Sequence, residues 1–324
     1  MRTFTYHRAS DVADAVAHLT PDASYLAGGT NLVDLMKLGV ATPGTLVDIN
    51  RLGLDGITAH DGLLRIGAAV RNSDLAAHPL VREALPALSQ ALLAGASGQL
   101  RNMATTGGNL LQRTRCRYFT DVTKPCNKHT PGSGCPARDG DHRNLAVLGH
   151  SENCVATHPS DLAVALAALD AVVNIDGTGG KRSVALVDLH RLPGDAPERD
   201  TVLEHGELIT SVDVPLTDVA RNSAYRKARD RASYAFAVGS VAAALDVADA
   251  RVADVRLAFG AVAHKPWRAR AAEEALRGRP ATRESFLAAA DAELAAAVPL
   301  RDNGFKVPLI RNLVAATLTR LATR

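Results

Sequence analysis

Large aromatic side chains are scarce in this 324-residue chain: Phe, Trp and Tyr make up 4% of it, with a single Trp. Apolar residues reach 47% and charged residues 22%, a globular balance, so alanine and valine must fill the core. No apolar run reaches the roughly 18 residues of a membrane helix, so no span is expected. The N-terminal MRTFTYHRASDVADAV has no apolar h-region, so no signal peptide is expected. The formal charge is only +3. The resulting pI near 8.7 is too slight and too local to argue for nucleic acid. No internal repeat or low-complexity segment is visible. The length is enough for two domains.

Cysteine is absent everywhere except one stretch, which holds Cys116, Cys126, Cys135 and Cys154. Three explanations compete. Structural disulfides need an oxidising compartment and mostly staple chains too small to bury a core. A four-thiolate zinc site usually pairs its ligands in tight C-x2-4-C knuckles. Here the spacings are x9, x8 and x18. An iron–sulfur cluster also takes four thiolates and accepts a looser wrap. Spacing alone leaves all three open. Residues 113–143 carry seven Arg and Lys against three Asp, a local net of +4. A basic shell would compensate a negative cluster, and a solvated or docking face explains it equally. Pro125, Pro131, Gly132, Gly134 and Pro136 argue for an irregular loop, and a loop this long is usually functional or disordered.

Residues 1–50 read as βαβαβ, with Ser10 capping a helix Asp11–Leu19. Within it, LAGGTNLVD (26–34) places two glycines between a strand and a helix start. Such a turn lets backbone approach a ligand closely and offers free N–H groups to an anion. It is neither the G-x-G-x-x-G fingerprint nor a P-loop, and most such turns only turn. A second Gly-Gly loop, Thr105-Thr106-Gly107-Gly108-Asn109, repeats the theme, and two such loops could grip a dinucleotide's phosphates from opposite sides. Asn72–Leu93 reads as helix interrupted by Pro79 and Pro86. Pro159-Ser160-Asp161 opens another through Leu169, with Ser160 or Asp161 as cap. His158 reads as a hydrogen-bonded structural histidine. Strands are expected at Tyr225–Arg229, Ala235–Ala244 and Val255–Val262, then helices at Pro266–Leu276, Arg283–Ala297 and Val307–Leu321.

LAGGTNLVDLMK, RNMATTGGNLL, HPSDLAVAL and YRKARDRASYAFAVGSVAAAL, in that order, resemble the FAD-binding subunit of the molybdenum hydroxylase (xanthine dehydrogenase) family over nearly the whole chain. The cysteine stretch resembles the iron–sulfur insertion in the flavin subunit of bacterial periplasmic aldehyde oxidoreductase. The resemblance implies an α+β fold: an FAD-binding PCMH-type domain at 1–217, with a [4Fe–4S]-binding insertion at about 113–156. A small α/β domain of the carbon monoxide dehydrogenase flavoprotein type would follow at 218–324. It implies that Leu26, Ala27, Gly28, Gly29, Thr30, Asn31, Leu32, Val33 and Asp34 wrap the FAD diphosphate. Thr105, Gly108 and Asn109 would complete the cradle. Asp161 would bind the flavin's polar end and Ile209 would pack near it by its backbone. Lys227 would sit by the isoalloxazine, although without the resemblance it reads as a strand-edge surface lysine. Cys116, Cys126, Cys135 and Cys154 would ligate the cluster.

The implied assembly adds a large molybdenum-cofactor subunit that oxidises an aldehyde and a small subunit with two [2Fe–2S] clusters. This chain would take electrons from the small subunit and hand them to an external acceptor, with no substrate site of its own. A 4-hydroxybenzoyl-CoA-reductase-type subunit is the alternative within the family. A zinc-bound or disulfide-stapled anion-binding protein is the alternative outside it. The chain is expected in the periplasm, by co-export with a twin-arginine partner, or in the cytoplasm.

Overall fold

A computed structural model of the chain describes residues 1–323. Twelve strands among them form three sheets. Strands β1 (Thr5–Arg8), β2 (Ala23–Leu26) and β3 (Thr45–Asp48) pair in parallel in the order β1-β3-β2. Strands β4 (Ile57–His60), β5 (Leu63–Gly67), β6 (Val172–Asp176), β7 (Arg182–Ala185) and β8 (Leu208–Pro215) make an antiparallel sheet, order β4-β5-β8-β6-β7. Strands β9 (Ser223–Ala228), β10 (Gly239–Ala248), β11 (Arg251–Gly260) and β12 (Trp267–Arg268) make the third sheet, order β12-β11-β10-β9. No helix of the described residues is long and apolar enough to cross a membrane.

The third sheet is covered on both faces, and alanine makes that possible. Ala242 on β10 and Ala258 on β11 are register partners and face the core shared with the helix Asp161–Ala168. Val241, Ala243, Leu257 and Phe259 face the other way, into a core with the C-terminal helices Arg270–Leu276, Arg283–Leu294 and Lys306–Ala322. The helix Asp161–Ala168 is buried at every position, which explains why DLAVALAA carries no amphipathic stripe. A Cβ on Gly260 would lie 2.6 Å from Val164 Cγ2, so the helix's Val164 side chain packs directly on the strand backbone. Small residues replace the missing aromatics by letting layers approach.

The βαβαβ expectation for the first 50 residues holds, but Asp11, not Ser10, caps the first helix, which runs Val12–Ala17. The Asp11 carboxylate accepts from the Asp14 N–H at 2.8 Å, while Ser10, one residue outside the cap, donates its own N–H to the Asp14 carboxylate at 2.8 Å. Pro79 and Pro86 each open a new helix at its first turn, where no N–H is missed. The strand expected from Ala235 starts instead at Gly239. Tyr234 has φ 51°, and its carbonyl accepts from the Arg231 guanidinium, which bends the chain out of extended geometry. Trp267–Arg268, expected as helix, pairs with Ala258 and Phe259 as a strand, and the Trp267 indole N–H donates to Glu293 at 2.7 Å. The second Gly-Gly motif is not a loop: Thr105 caps a helix, Thr106–Leu110, that contains both glycines.

The cysteine stretch is irregular apart from one helical turn, Arg117–Thr120, and a 3-10 turn, Pro136–Arg138, yet it is firmly held. Lys306, fully buried, donates to the Leu145 carbonyl at 2.9 Å and the Ala261 carbonyl at 2.7 Å. Burial pushes its amine down to about 7. Buried Lys128 donates to the Pro197 carbonyl at 2.7 Å and pairs with Asp200, which Arg113 also contacts. Desolvation pushes the Asp200 carboxyl up, but Arg113, Lys128 and His264 outweigh it and hold it below its usual range.

Three buried histidines sit beside this knot. His158 and His190 both donate from Nε2 to the Leu110 carbonyl, at 3.3 and 2.8 Å, so His158 is the structural histidine expected. Burial lowers all three, His190 and His264 to about 4. The unfolded chain therefore takes up protons near pH 6.5 that the folded chain refuses. Stability is full above pH 6.5 and falls as pH drops toward 4. Urea titrations should show a loss on the order of 2 kcal/mol for each of His190 and His264 between pH 7 and 5. His190→Gln should shrink that loss.

Candidate cofactor site

A cavity of about 670 Å³, the size of a cofactor site, lies at the seam between the helix Asp161–Ala168, the segments near 30 and 108, and the third sheet. Two glycines shape its first wall. Gly29 has φ +73°, a left-handed turn that glycine adopts without strain. Gly28 packs so closely on the residues before the second glycine pair that an added Cβ would lie 1.9 Å from the Met103 carbonyl oxygen. Asn31 occupies the N-cap position of the helix Leu32–Lys37 but makes no cap bond. Its Oδ1 accepts instead from the Arg113 N–H at 2.9 Å, joining the first cradle to the chain beyond the second. The two glycine motifs, about 80 residues apart in sequence, thus meet in space.

Asp161 is released from capping by its neighbour. Ser160 is the N-cap, accepting from the Ala163 N–H at 3.0 Å while donating to Asn109 Oδ1 at 2.7 Å. The Asp161 carboxylate pairs with Lys227 Nζ at 2.7 Å and accepts from the Tyr225 hydroxyl. These side chains are 4% and 9% exposed for Lys227 and Asp161, so the pair is buried and the surface reading of Lys227 fails. Tyr225 and Lys227 share one face of β9 with their partners Ala242 and Ser240 on β10, the face turned to the cavity. Burial, then the Asp161 charge, pushes the Tyr225 hydroxyl well up, so it stays a donor.

Of the cradle residues expected from sequence, Thr30, Asp34, Gly108, Asn109, Asp161 and Lys227 line the cavity. Leu26, Ala27, Gly28, Gly29, Asn31, Leu32, Val33 and Thr105 shape the turns behind it. Ile209, expected near the flavin by its backbone, is not among the lining residues; it is 2% exposed, opposite Ile175 on β6, with its side chain in the core beside the five-stranded sheet. Sequence reasoning missed Asn72 and Arg115. Both line the cavity and each carries a buried polar atom with no partner, Asn72 Oδ1 and Arg115 Nε. Buried polar groups are rarely left so: Arg115 Nε–H calls for a ligand acceptor such as a phosphate oxygen, and Asn72 Oδ1 for a ligand donor such as a hydroxyl. Arg115 also stacks 5.0 Å over Phe236. Its adjacency to Cys116 was the signal, hidden among the loop's other basic residues. The donors, the glycine turns and the volume all fit FAD.

Cys116, Cys126, Cys135 and Cys154 are free thiols that line one second, smaller cavity. Backbone N–H groups of Tyr118 and Phe119 point at Cys116, those of Ala137 and Val155 at Cys135, and that of Ala156 at Cys154. Amides aimed at sulfur favour thiolates, but at Cys116 burial outweighs them and pushes the thiol up to about 11. Cys135 is pushed down, first by a hydrogen bond from Cys154, whose own thiol is pushed up. A tetrahedral zinc would hold its sulfurs about 3.8 Å apart. Among the described residues, no three of these thiols converge within 4.8 Å. The basic shell expected from the loop's charge is mostly absent. Only Lys128 of the seven lines the cysteine cavity. Arg117, Arg138 and Arg143 pair outward with Asp141, Glu152 and Asp230.

Residues 2–217 match the FAD binding domain in molybdopterin dehydrogenase, and residues 192–324 match the CO dehydrogenase flavoprotein C-terminal domain. The chain belongs to the FAD-binding medium subunits of the molybdenum hydroxylases. It is 52% identical over 322 residues to the aldehyde oxidoreductase FAD-binding subunit PaoB of Escherichia coli K12, covering 98% of both chains. It is 28% identical to the glyceraldehyde dehydrogenase medium chain of Sulfolobus acidocaldarius, over 85% of this chain and 82% of that one. Among solved structures, carbon monoxide dehydrogenase from Hydrogenophaga pseudoflava superposes with a TM-score of 0.76 at 28% identity, covering 98% of this chain and 96% of that chain. Members of this family are subunits of oxidoreductase complexes, so the reading as a non-enzymatic anion-binding protein falls.

Removing one partner of the buried pair should strand a charge. Lys227→Met is expected to cost on the order of 3–5 kcal/mol in denaturant unfolding. Adding Asp161→Asn should recover much of it, since the pair then leaves no ion behind. Gly28→Ala should drive a Cβ into the Met103 carbonyl and sharply lower the flavin absorbance retained per chain on purification.

Proposed function

We propose that this chain is the FAD- and [4Fe–4S]-carrying electron-transfer subunit of a heterotrimeric molybdenum-dependent aldehyde oxidoreductase. Electrons reach it from a small subunit with two [2Fe–2S] clusters, after a large molybdenum-cofactor subunit oxidises the aldehyde. They leave to an external acceptor. Bound FAD supplies a two-electron store between one-electron carriers and that acceptor. The protein's part is to hold it: the glycine turns admit its diphosphate, Arg115 and Asn72 offer polar contacts, and Lys227 with Asp161 sets the charge beside its ring.

One observation carries the cluster assignment. All four cysteines converge on a single cavity, spread wider than one zinc would hold. Cys116 lines both that cavity and the cofactor cavity, which supports a relay rather than a distant clasp. The full-length identity to PaoB supports the aldehyde branch over the benzoyl-CoA-reductase type. Export with a twin-arginine partner subunit belongs to the same proposal.

Iron and sulfide analysis of anaerobically purified protein, with EPR after dithionite reduction, tests it. About four irons per chain and a reduced-cluster signal are expected, both lost in Cys126→Ser and Cys135→Ser. Flavin alone, with zinc at the cysteines or disulfides between them, would remove the cluster and leave a flavoprotein.

A further inference from the structure

We propose that His7, Asp14 and His18 form a surface site for a divalent transition-metal ion of the zinc, nickel or copper class. It lies on the N-terminal lobe and does not depend on either cavity. Among the described residues, this is the one trio whose ligand atoms all lie within 4.8 Å of one another. His7 comes from β1. Asp14 lies on the helix Val12–Ala17 and His18 is its C-cap, four residues on, so both share the face turned to the strand.

His7 Nε2 is 3.0 Å from Asp14 Oδ2, and His18 Nδ1 is 2.8 Å from Oδ1. The imidazole rings lie 3.7 Å apart, centroid to centroid, and 16° from parallel. Both rings turn a nitrogen to the one carboxylate, and His18, half exposed, has room to swing out of the stack and off the Asp14 carbonyl so that both lone pairs meet a single dication beside Asp14. The carboxylate is already oriented from behind. The Ser10 N–H donates to Asp14 Oδ2 at 2.8 Å and the Ser10 hydroxyl at 3.3 Å, the outer-shell support that metal-binding carboxylates use. The side chains are 33%, 22% and 49% exposed for His7, Asp14 and His18, so water can fill the remaining positions. Two nitrogens and one oxygen select zinc, nickel or copper and reject magnesium and calcium. The bound ion would tie the edge strand β1 to its helix, bracing the sheet from which β2 runs into the Gly28-Gly29 turn.

The test uses the full chain with its flavin and cysteine centre as purified, treated with chelator and desalted. It is titrated with Zn²⁺ by calorimetry and with Co²⁺ by absorption. One equivalent of Zn²⁺ should bind, with a rise in Tm. The corresponding Co²⁺ spectrum should lack thiolate charge-transfer bands. The combined His7→Ala and His18→Ala change should abolish this equivalent and the Tm rise while flavin content is kept. His18→Gln alone, at an exposed position that folding tolerates, should weaken binding at least tenfold. Equal uptake by the wild-type and double-variant proteins would overturn the proposal, as would uptake that shows thiolate bands throughout.

Discussion

A buried ion pair, Asp161 with Lys227, sits where the two halves of this molecule meet, and much of the architecture serves it. Removing two charges from water is costly, and the cost is recovered only if both stay paired and hydrogen-bonded. Asp161 has that through Lys227 and the Tyr225 hydroxyl, and Lys227 through Asp161 and the Ala94 carbonyl at 3.2 Å. One partner stands on a helix of the first matched region and the other on the edge strand of the third sheet. The cofactor cavity lies beside the pair, with both Asp161 and Lys227 in its lining.

Close approach is the second constraint. Gly28 lies against the Met103 carbonyl and Gly260 against Val164, with no room for a Cβ at either place. Alanines on both faces of β10 and β11 allow the same economy across the sheet. The scarcity of aromatics thus has a structural counterpart: layers thin enough that two glycine turns, distant in sequence, form one rim. The strap from Asn109 to Cys116 then carries the chain from that rim to the cysteine cavity, with Arg115 and Cys116 adjacent on the shared wall.

The cysteine stretch is held in its irregular shape by buried lysines that donate to carbonyls, Lys128 from within it to Pro197 and Lys306 from the C-terminal helix to Leu145, rather than by forming elements. Lys306 and Lys128 are buried amines whose partners are backbone oxygens and one carboxylate, Asp200. Such groups satisfy a loop that has few ladder hydrogen bonds of its own. The loop's own positive charge does not read as a shell because most of it is paired away from the cysteine cavity. Arg113, Lys128 and Arg143 pair with carboxylates outside the loop, and Arg117 and Arg138 with Asp141 and Glu152 within it.

Local chemistry was legible from sequence because local rules govern it. Glycine pairs beside strand and helix signals marked the cradle, Pro79 and Pro86 marked breaks in a helical stretch, and the confinement of four cysteines to one stretch marked a centre. What depends on neighbours far along the chain was not legible. Ser160 rather than Asp161 became the cap because Asn109 and Lys227 compete for the two side chains. Lys227 is buried because the alanine face of β10 packs on a helix some 60 residues earlier. Ile209 went to the core because its strand is central in its sheet. Arg115 was indistinguishable from its basic neighbours until folding left its Nε unpaired at the cavity. Composition and spacing determined which residues could do chemistry. Only burial, which is a property of the packed whole, decided which of them face the cofactor.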